Sequence, residues 1–357
     1  MGERARAAIT EAIEDHGPIT FAEYMELALY GPGSFYERPP VGPSGDFVTS
    51  PHVHPVFAEL LARAIRDLWQ RLGAPDPFRV VEVGAGDGTL AASLVRHLGD
   101  LPLAYTGVEI SPGARSALGA IEGVTVTDEL TGTAHLVLAH ELLDNLPFRI
   151  VSGRREIRVG LASGRFVEVE APIDDELAAV LAFMGAGEEG DADRLVPVGA
   201  LSFIDDLAEV AARGYALLID YGGAGGAGGG VHGYQGHRVV EDVLAHPGDS
   251  DVTAGVDFGL VAVRAASRGM RPLGTVSQRD ALLGLGFERW LREELARQQA
   301  QLDARDGLEA VRTWSGRSRA SLLADPAGLG RLRWLLLGGS ELTAPSWITE
   351  PDAAPQA

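Results

Sequence analysis

The run Arg79-Val-Val-Glu82-Val-Gly84-Ala-Gly86-Asp87-Gly88-Thr89 constrains this chain more than any other stretch. Its first half is short, β-branched and almost wholly apolar, the pattern of a strand buried in a parallel sheet. Its second half is a glycine turn that opens a helix over 89–98. Glycines at such a junction let the backbone approach a ligand closely, and a helix N-terminus favours anionic groups. The spacing is G-x-G-x-G, which differs from the G-x-G-x-x-G of dinucleotide-binding enzymes.

The flanking sequence repeats the alternation. Strands are expected over 105–110, 124–127 and 134–139, with helices over 55–72 and 112–120 between or before them. Strand–helix alternation at this spacing implies a doubly wound parallel sheet. Upstream, a helix over 20–29 starts at Thr20 with Glu23 three residues on, a capping box. The pattern breaks at 149–171, where apolar and polar residues alternate and Gly153 and Gly164 mark turns. An antiparallel meander is expected there, followed by helices over 174–184 and 202–213. Parallel-strand character returns at 216–221, then a glycine-rich loop at 222–230. A helix over 258–268, a strand over 270–276, helices over 278–285 and 291–302, and a strand over 333–337 complete the series. The organisation expected is a helical cover with a loop (1–75), a cofactor half (76–144), an inserted α+β subdomain (145–213), a C-terminal half of the sheet (214–345) and a tail (346–357).

Composition removes several classes. The 357 residues carry a formal charge of −20, which argues against a nucleic-acid backbone or an anionic membrane surface as partner. With no Cys, thiolate metal sites, disulfides and thiol nucleophiles are excluded. The histidines show no metal spacing, so no metal is expected. No apolar run is long enough to span a bilayer and nothing reads as a targeting segment. A cytoplasmic protein, monomer or homodimer, is expected.

Acidic residues stand where the strands end. Glu82 lies inside the first strand. Glu109 ends the second strand, about 20 residues beyond the glycine turn, where a carboxylate takes ribose hydroxyls. Asp128 or the adjacent Glu129 ends the third strand, where an adenine amino group would lie. Glu141 and Asp144 follow the fourth strand, and three-residue spacing on a starting helical turn puts both carboxylates on one face. His140 beside them is a candidate proton acceptor near neutral pH, or a core histidine.

A G-x-G-x-G loop after a strand containing an acid, with a second acid at the next strand end, resembles the class I S-adenosylmethionine-dependent methyltransferases. The resemblance narrows through five ordered blocks: Gly45-Asp46-Phe-Val-Thr49-Ser50-Pro51, Ala139-His-Glu-Leu-Leu-Asp-Asn-Leu-Pro147, Leu218-Ile-Asp-Tyr-Gly222, Gly233-Tyr-Gln-Gly-His237-Arg238, and Pro247 to Phe258. These are similar to the signature blocks of the MidA-like family and span about 17–339. The chain departs from that pattern ahead of Tyr234, where Gly230-Val-His-Gly replaces the usual lead-in. The resemblance implies a Rossmann-like methyltransferase sheet and S-adenosylmethionine as cofactor, with S-adenosylhomocysteine as product. It places Gly84, Gly86, Asp87 and Gly88 at the cofactor, Asp46, Thr49 and Ser50 over it, and His237 beside the acceptor. The acceptor it implies is a protein arginine, methylated on nitrogen. A small-molecule O- or N-acceptor and a non-catalytic assembly role are the alternatives.

Overall fold

A computed structural model describes residues 2–37, 48–185, 193–223, 230–235, 238–240 and 242–349. Its centre is a seven-stranded sheet of β1 (Phe78–Val83), β2 (Leu103–Val108), β3 (Val124–Thr127), β4 (Leu136–His140), β5 (Tyr215–Asp220), β6 (Arg271–Ser277) and β7 (Arg333–Gly338). The spatial order is β6-β7-β5-β4-β1-β2-β3. All neighbours pair in parallel except β7, which runs antiparallel to both β5 and β6. The order reverses between β1 and β4. In open α/β sheets the crevice at the carboxyl ends of such strands is where ligands bind.

Alternation along the strands explains the two cores. Phe78 and Val80 of β1 face one side and Val81 and Val83 the other. The first side packs against α3 (Val56–Arg71), α4 (Thr89–His97) and α8 (Gln278–Gly284). The second packs against α6 (Val198–Val210) and α7 (Phe258–Ser267). The helix expected over 202–213 therefore belongs to the main sheet, because Ile204, Leu207 and Ala208 are buried against Val137 and Leu218.

A second sheet covers the crevice side. Arg149–Ser152, Arg155–Ala162 and Arg165–Pro172 form the expected meander; Ile19–Thr20 pairs with its central strand and Arg194–Val196 with Arg149–Ser152. Ser163 and Gly164 both have positive φ, 51° and 74°, the two-residue turn that matches the twist of a hairpin. Helices α1 (Gly2–His16) and α2 (Phe21–Leu29) bury Ile9, Tyr24 and Met25 against Ile150, Val159 and Phe166 of this sheet. The capping box forms: Thr20 Oγ1 accepts the Glu23 N–H at 3.1 Å, and Glu23 Oε2 accepts the Thr20 N–H at 2.7 Å. At the C-terminal end, α9 (Phe287–Asp303) begins earlier than the leucine spacing suggests. A helix that spacing did not reveal, α10 (Gly307–Ser321), packs beside it. Few of its residues are buried, so it lacks the apolar stripe that periodicity reads.

Candidate active site

The glycine turn is built as its residue types require. Gly86 has φ 55° and open space where a Cβ would sit, whereas Gly88, at φ 81°, backs onto Ile121 and Leu118. The turn is held from β2: Glu109 Oε2 accepts the Gly86 N–H at 2.8 Å and Oε1 accepts the Ser111 N–H at 2.8 Å. A carboxylate offers about four lone-pair sites, so this bracing leaves capacity for ligand hydroxyls. Asp87 accepts the Thr89 N–H at the start of the next helix at 3.0 Å and also binds His52 Nε2 at 3.0 Å. Burial works against its charge, but the hydrogen bonds from His52 and Thr89 prevail and hold it below the usual carboxylate range.

Above this turn lies a cavity of about 460 Å³. The ends of β1, β2 and β4 form one wall. The short helix Ser50–Val53 crosses it as a strap, and Tyr30 and Tyr36 close the far side from the helical cover. Its lining contains the carboxylates of Glu26, Glu82, Asp87, Glu109 and Glu141, and no Lys or Arg among the described residues. A cleft walled by carboxyl groups is suited to cations.

Two of these carboxyls are strongly perturbed. Burial, with the charges of Asp87 and Glu109, pushes Glu82 up to about 8 despite a 2.6 Å hydrogen bond from Tyr105. Burial and the neighbouring Asp220 push Glu141 up to about 8. Glu141 also has φ 51°, a left-handed conformation that costs a β-carbon residue roughly 1–2 kcal/mol. Such strain persists only where the surroundings impose it, and it concentrates at functional sites. The strap reaches it: the Ser50 N–H donates to Glu141 Oε1 at 3.4 Å, and Ser50 Oγ bonds the buried Gln278.

Of the residues singled out in the sequence, Thr49, Glu82, Gly84, Gly86, Asp87, Glu109, His140 and Glu141 line the cavity. Gly88 lies just behind it as the helix cap. Ser50 faces Gln278 rather than the cavity. Asp144 sits behind Glu141, with Oδ1 buried and unpartnered. Asp128 is turned outward, where Arg115 of α5 (Pro112–Leu118) takes its carboxylate at 2.6 Å, and Glu129 is exposed. The cavity wall beside Glu109 is formed instead by Val108, Ile110 and Ala114. His140 does not suit the proton-acceptor role: burial lowers its imidazole to about 3, so it stays neutral, and Nε2, though 3.2 Å from Glu141, makes no hydrogen bond. Asp46 and His237 lie outside the described residues. Asp257 caps α7 through the N–H groups of Gly259 and Leu260.

Sequence reasoning missed the far wall. Tyr30 and Tyr36 stack 5.4 Å apart and both bond Asn145, Tyr30 to its carbonyl and Tyr36 to Oδ1. Aromatics in a glycine- and proline-rich loop were the available signal. His52 was missed because a lone histidine after a helix start carries no pattern.

Comparison with known proteins agrees with this geometry. Residues 60–276 match the family described as "Putative S-adenosyl-L-methionine-dependent methyltransferase". The mitochondrial protein arginine methyltransferase NDUFAF7 of Mus musculus is 31% identical over 328 residues, covering 77% of this chain and 72% of that protein. The homologous mitochondrial protein of Drosophila melanogaster is 29% identical over 380 residues, covering 92% and 83%. A crystal structure of a COG1565 superfamily member from Burkholderia thailandensis, bound to S-adenosyl-homocysteine, superposes with a TM-score of 0.79 at 28% identity, covering 98% of this chain and 93% of that one. The cytoplasmic location expected from the sequence is overturned by the mitochondrial names of these curated relatives. No helix among the described residues is long and apolar enough to cross a membrane.

The residues present fit the cofactor: an open Gly86 for close backbone approach, Glu109 with lone pairs to spare, and an acidic wall for a sulfonium. When bound, S-adenosylmethionine supplies an electrophilic methyl group on that sulfonium. The chain belongs to the MidA-like family of class I S-adenosylmethionine-dependent methyltransferases.

Proposed function

We propose that this methyltransferase acts on an arginine side chain of a protein, with Glu141 as the carboxylate that receives the guanidinium. The observation that carries the reading is the acidic cavity wall, without Lys or Arg among the described residues, to which Glu141 belongs. The names of the curated relatives, protein arginine methyltransferases, support it.

The chemistry follows from the charges. A guanidinium is fully protonated in water, with a pKa above about 12, so its nitrogens are poor nucleophiles. A carboxylate that binds two of them as a fork draws the positive charge away from the third. Glu141, raised to about 8, is ionised by the arriving cation itself, since an opposite charge stabilises its anion. After methyl transfer the attacked nitrogen releases its surplus proton to solvent, and the methylated guanidinium keeps its charge beside the Glu141 carboxylate. Glu109 stabilises positive charge on the cofactor side, and Glu82 joins it as it ionises near pH 8. Asp46, Thr49 and His237 complete our reading of the site as cover and acceptor residues.

A small-molecule acceptor is the second reading, favoured by the cavity's size of a few hundred Å³. The two are separated by incubating the protein with methyl-labelled S-adenosylmethionine and host lysate. Label in the protein fraction is expected; label confined to small molecules would replace the arginine reading with the second.

A further inference from the structure

The turn that carries Glu141 is bound at every amide. The N–H of Glu141 donates to the Ile219 carbonyl at 2.8 Å. Those of Leu142, Leu143 and Asp144 all donate to Asp220 Oδ2, at 3.0, 2.7 and 3.3 Å. The second oxygen, Oδ1, accepts the Tyr221 N–H at 2.7 Å. Four consecutive amides of one loop thus converge on two adjacent residues at the end of β5. Asp220 is fully buried, and a buried carboxylate is stable only when its lone pairs are used in this way. The left-handed φ of Glu141 needs an external restraint, and this is the one the structure supplies.

We propose that Asp220 is the positioning residue for Glu141: its carboxylate clamps residues 142–144 and so fixes the direction in which Glu141 enters the cavity. The proposal rests on reading Glu141 as the acceptor's carboxylate.

The electrostatics support the assignment of charge. Burial pushes both Asp144 and Asp220 upward. Asp144 also feels Asp220, Asp251 and Glu141, whereas the backbone N–H groups lower Asp220. Asp220 is therefore the more acidic partner and Asp144 holds the proton. The groups around Glu141 are His140 and Asp144 on its own segment, Asp220 and Tyr221 at the end of β5, and His52 on the strap. Of these, the Asp220 charge is the one that raises Glu141.

Asp220→Asn keeps the volume but offers one oxygen and turns an NH2 group toward amide donors. Three readouts are needed. Affinity for S-adenosylhomocysteine should stay within about threefold of wild type. Methyl incorporation into the lysate protein fraction should fall at least tenfold. The Glu141 carboxyl, followed by ¹³C NMR and assigned with Glu141→Gln, should titrate at lower pH, because a like charge has gone. A purely structural role for Asp220 would weaken S-adenosylhomocysteine binding together with activity, which overturns the proposal, as would unchanged incorporation. If Asp220→Asn does not fold, amide exchange in the wild-type protein decides: the Leu142 and Leu143 amides should be slow, and rapid exchange contradicts the clamp. Should Glu141→Gln keep full incorporation, the arginine reading fails instead; loss in Glu141→Gln with no effect in Asp220→Asn removes the clamp alone.

Discussion

At the scale of single residues, the two glycines of the turn separate ligand binding from folding. Gly86 has open space at its Cβ, so Gly86→Arg puts a long cation into the cavity without a backbone clash. Affinity for S-adenosylhomocysteine should fall by about a hundredfold or more, because the side chain takes the space of the ligand, while the melting temperature drops only modestly, since φ 55° costs a residue with a Cβ roughly 1–2 kcal/mol. Gly88→Val should do the reverse in kind, since its Cβ collides with Ile121 and φ is 81°; the soluble yield and melting temperature should drop. Calorimetry and thermal unfolding read both. Normal affinity in Gly86→Arg would remove the turn from the cofactor site. Glu141→Gln should bind S-adenosylhomocysteine normally and lose roughly a hundredfold in turnover, the usual effect of deleting one electrostatic stabiliser.

At the scale of elements, the strap Ser50–Val53 ties three parts together: Asp87 through His52, Glu141 through the Ser50 N–H, and α8 through Gln278. His52→Ala removes one hydrogen bond to a charged group, so S-adenosylhomocysteine affinity should weaken about tenfold. Stability without ligand should also fall, by about 1.5–3 kcal/mol, because the bond is present in the unliganded fold, and an unaltered affinity would show that the strap does not close the site. The second sheet has its own test. Arg149, 4% exposed, bonds the fully buried Glu156 at 2.6 Å and Asp174 at 2.5 and 3.1 Å. Arg149→Ala strands Glu156 with Arg158 alone, and denaturant titration should show a loss of about 3 kcal/mol, the lower end for breaking a buried pair.

These elements also show what the sequence could reveal. The strand β1, its glycine turn and the acids at 82, 109 and 141 were legible because local pattern and site chemistry coincide there. The strap's partners were not, because Ser50 and Gln278 are 228 residues apart and no local rule links them. Asp128 looked like its neighbours at strand ends, but a cation one helix away, Arg115, turned it outward. His140 was open between a base and a core histidine from its type alone, and burial, which lowers its imidazole to about 3, keeps it neutral. Asp220 was visible as the end of a strand; its function as a clamp depends on the φ of Glu141.

At the scale of the whole molecule, the charge of −20 gains a local meaning: five of its acids line one cavity. Glu82 and Glu141 titrate near 8 in the folded state, against 4.5 for an ordinary glutamate. The native protein thus keeps protons that the unfolded chain has released. Their contribution to stability is complete below about 4.5 and is lost as pH rises through about 8. The melting temperature without ligand should therefore fall between pH 6 and 9, and a flat profile would contradict the perturbed carboxyls. Cationic S-adenosylmethionine should gain affinity relative to neutral S-adenosylhomocysteine over the same range, as those carboxyls ionise.

The account meets in one measurement: amino-acid analysis of lysate protein labelled by the wild-type enzyme and by Glu141→Gln from methyl-labelled S-adenosylmethionine. The label should be recovered as methylarginine with the wild type and nearly vanish with the variant. Label on another residue, or equal methylarginine from both proteins, would contradict the claim that Glu141 receives an arginine.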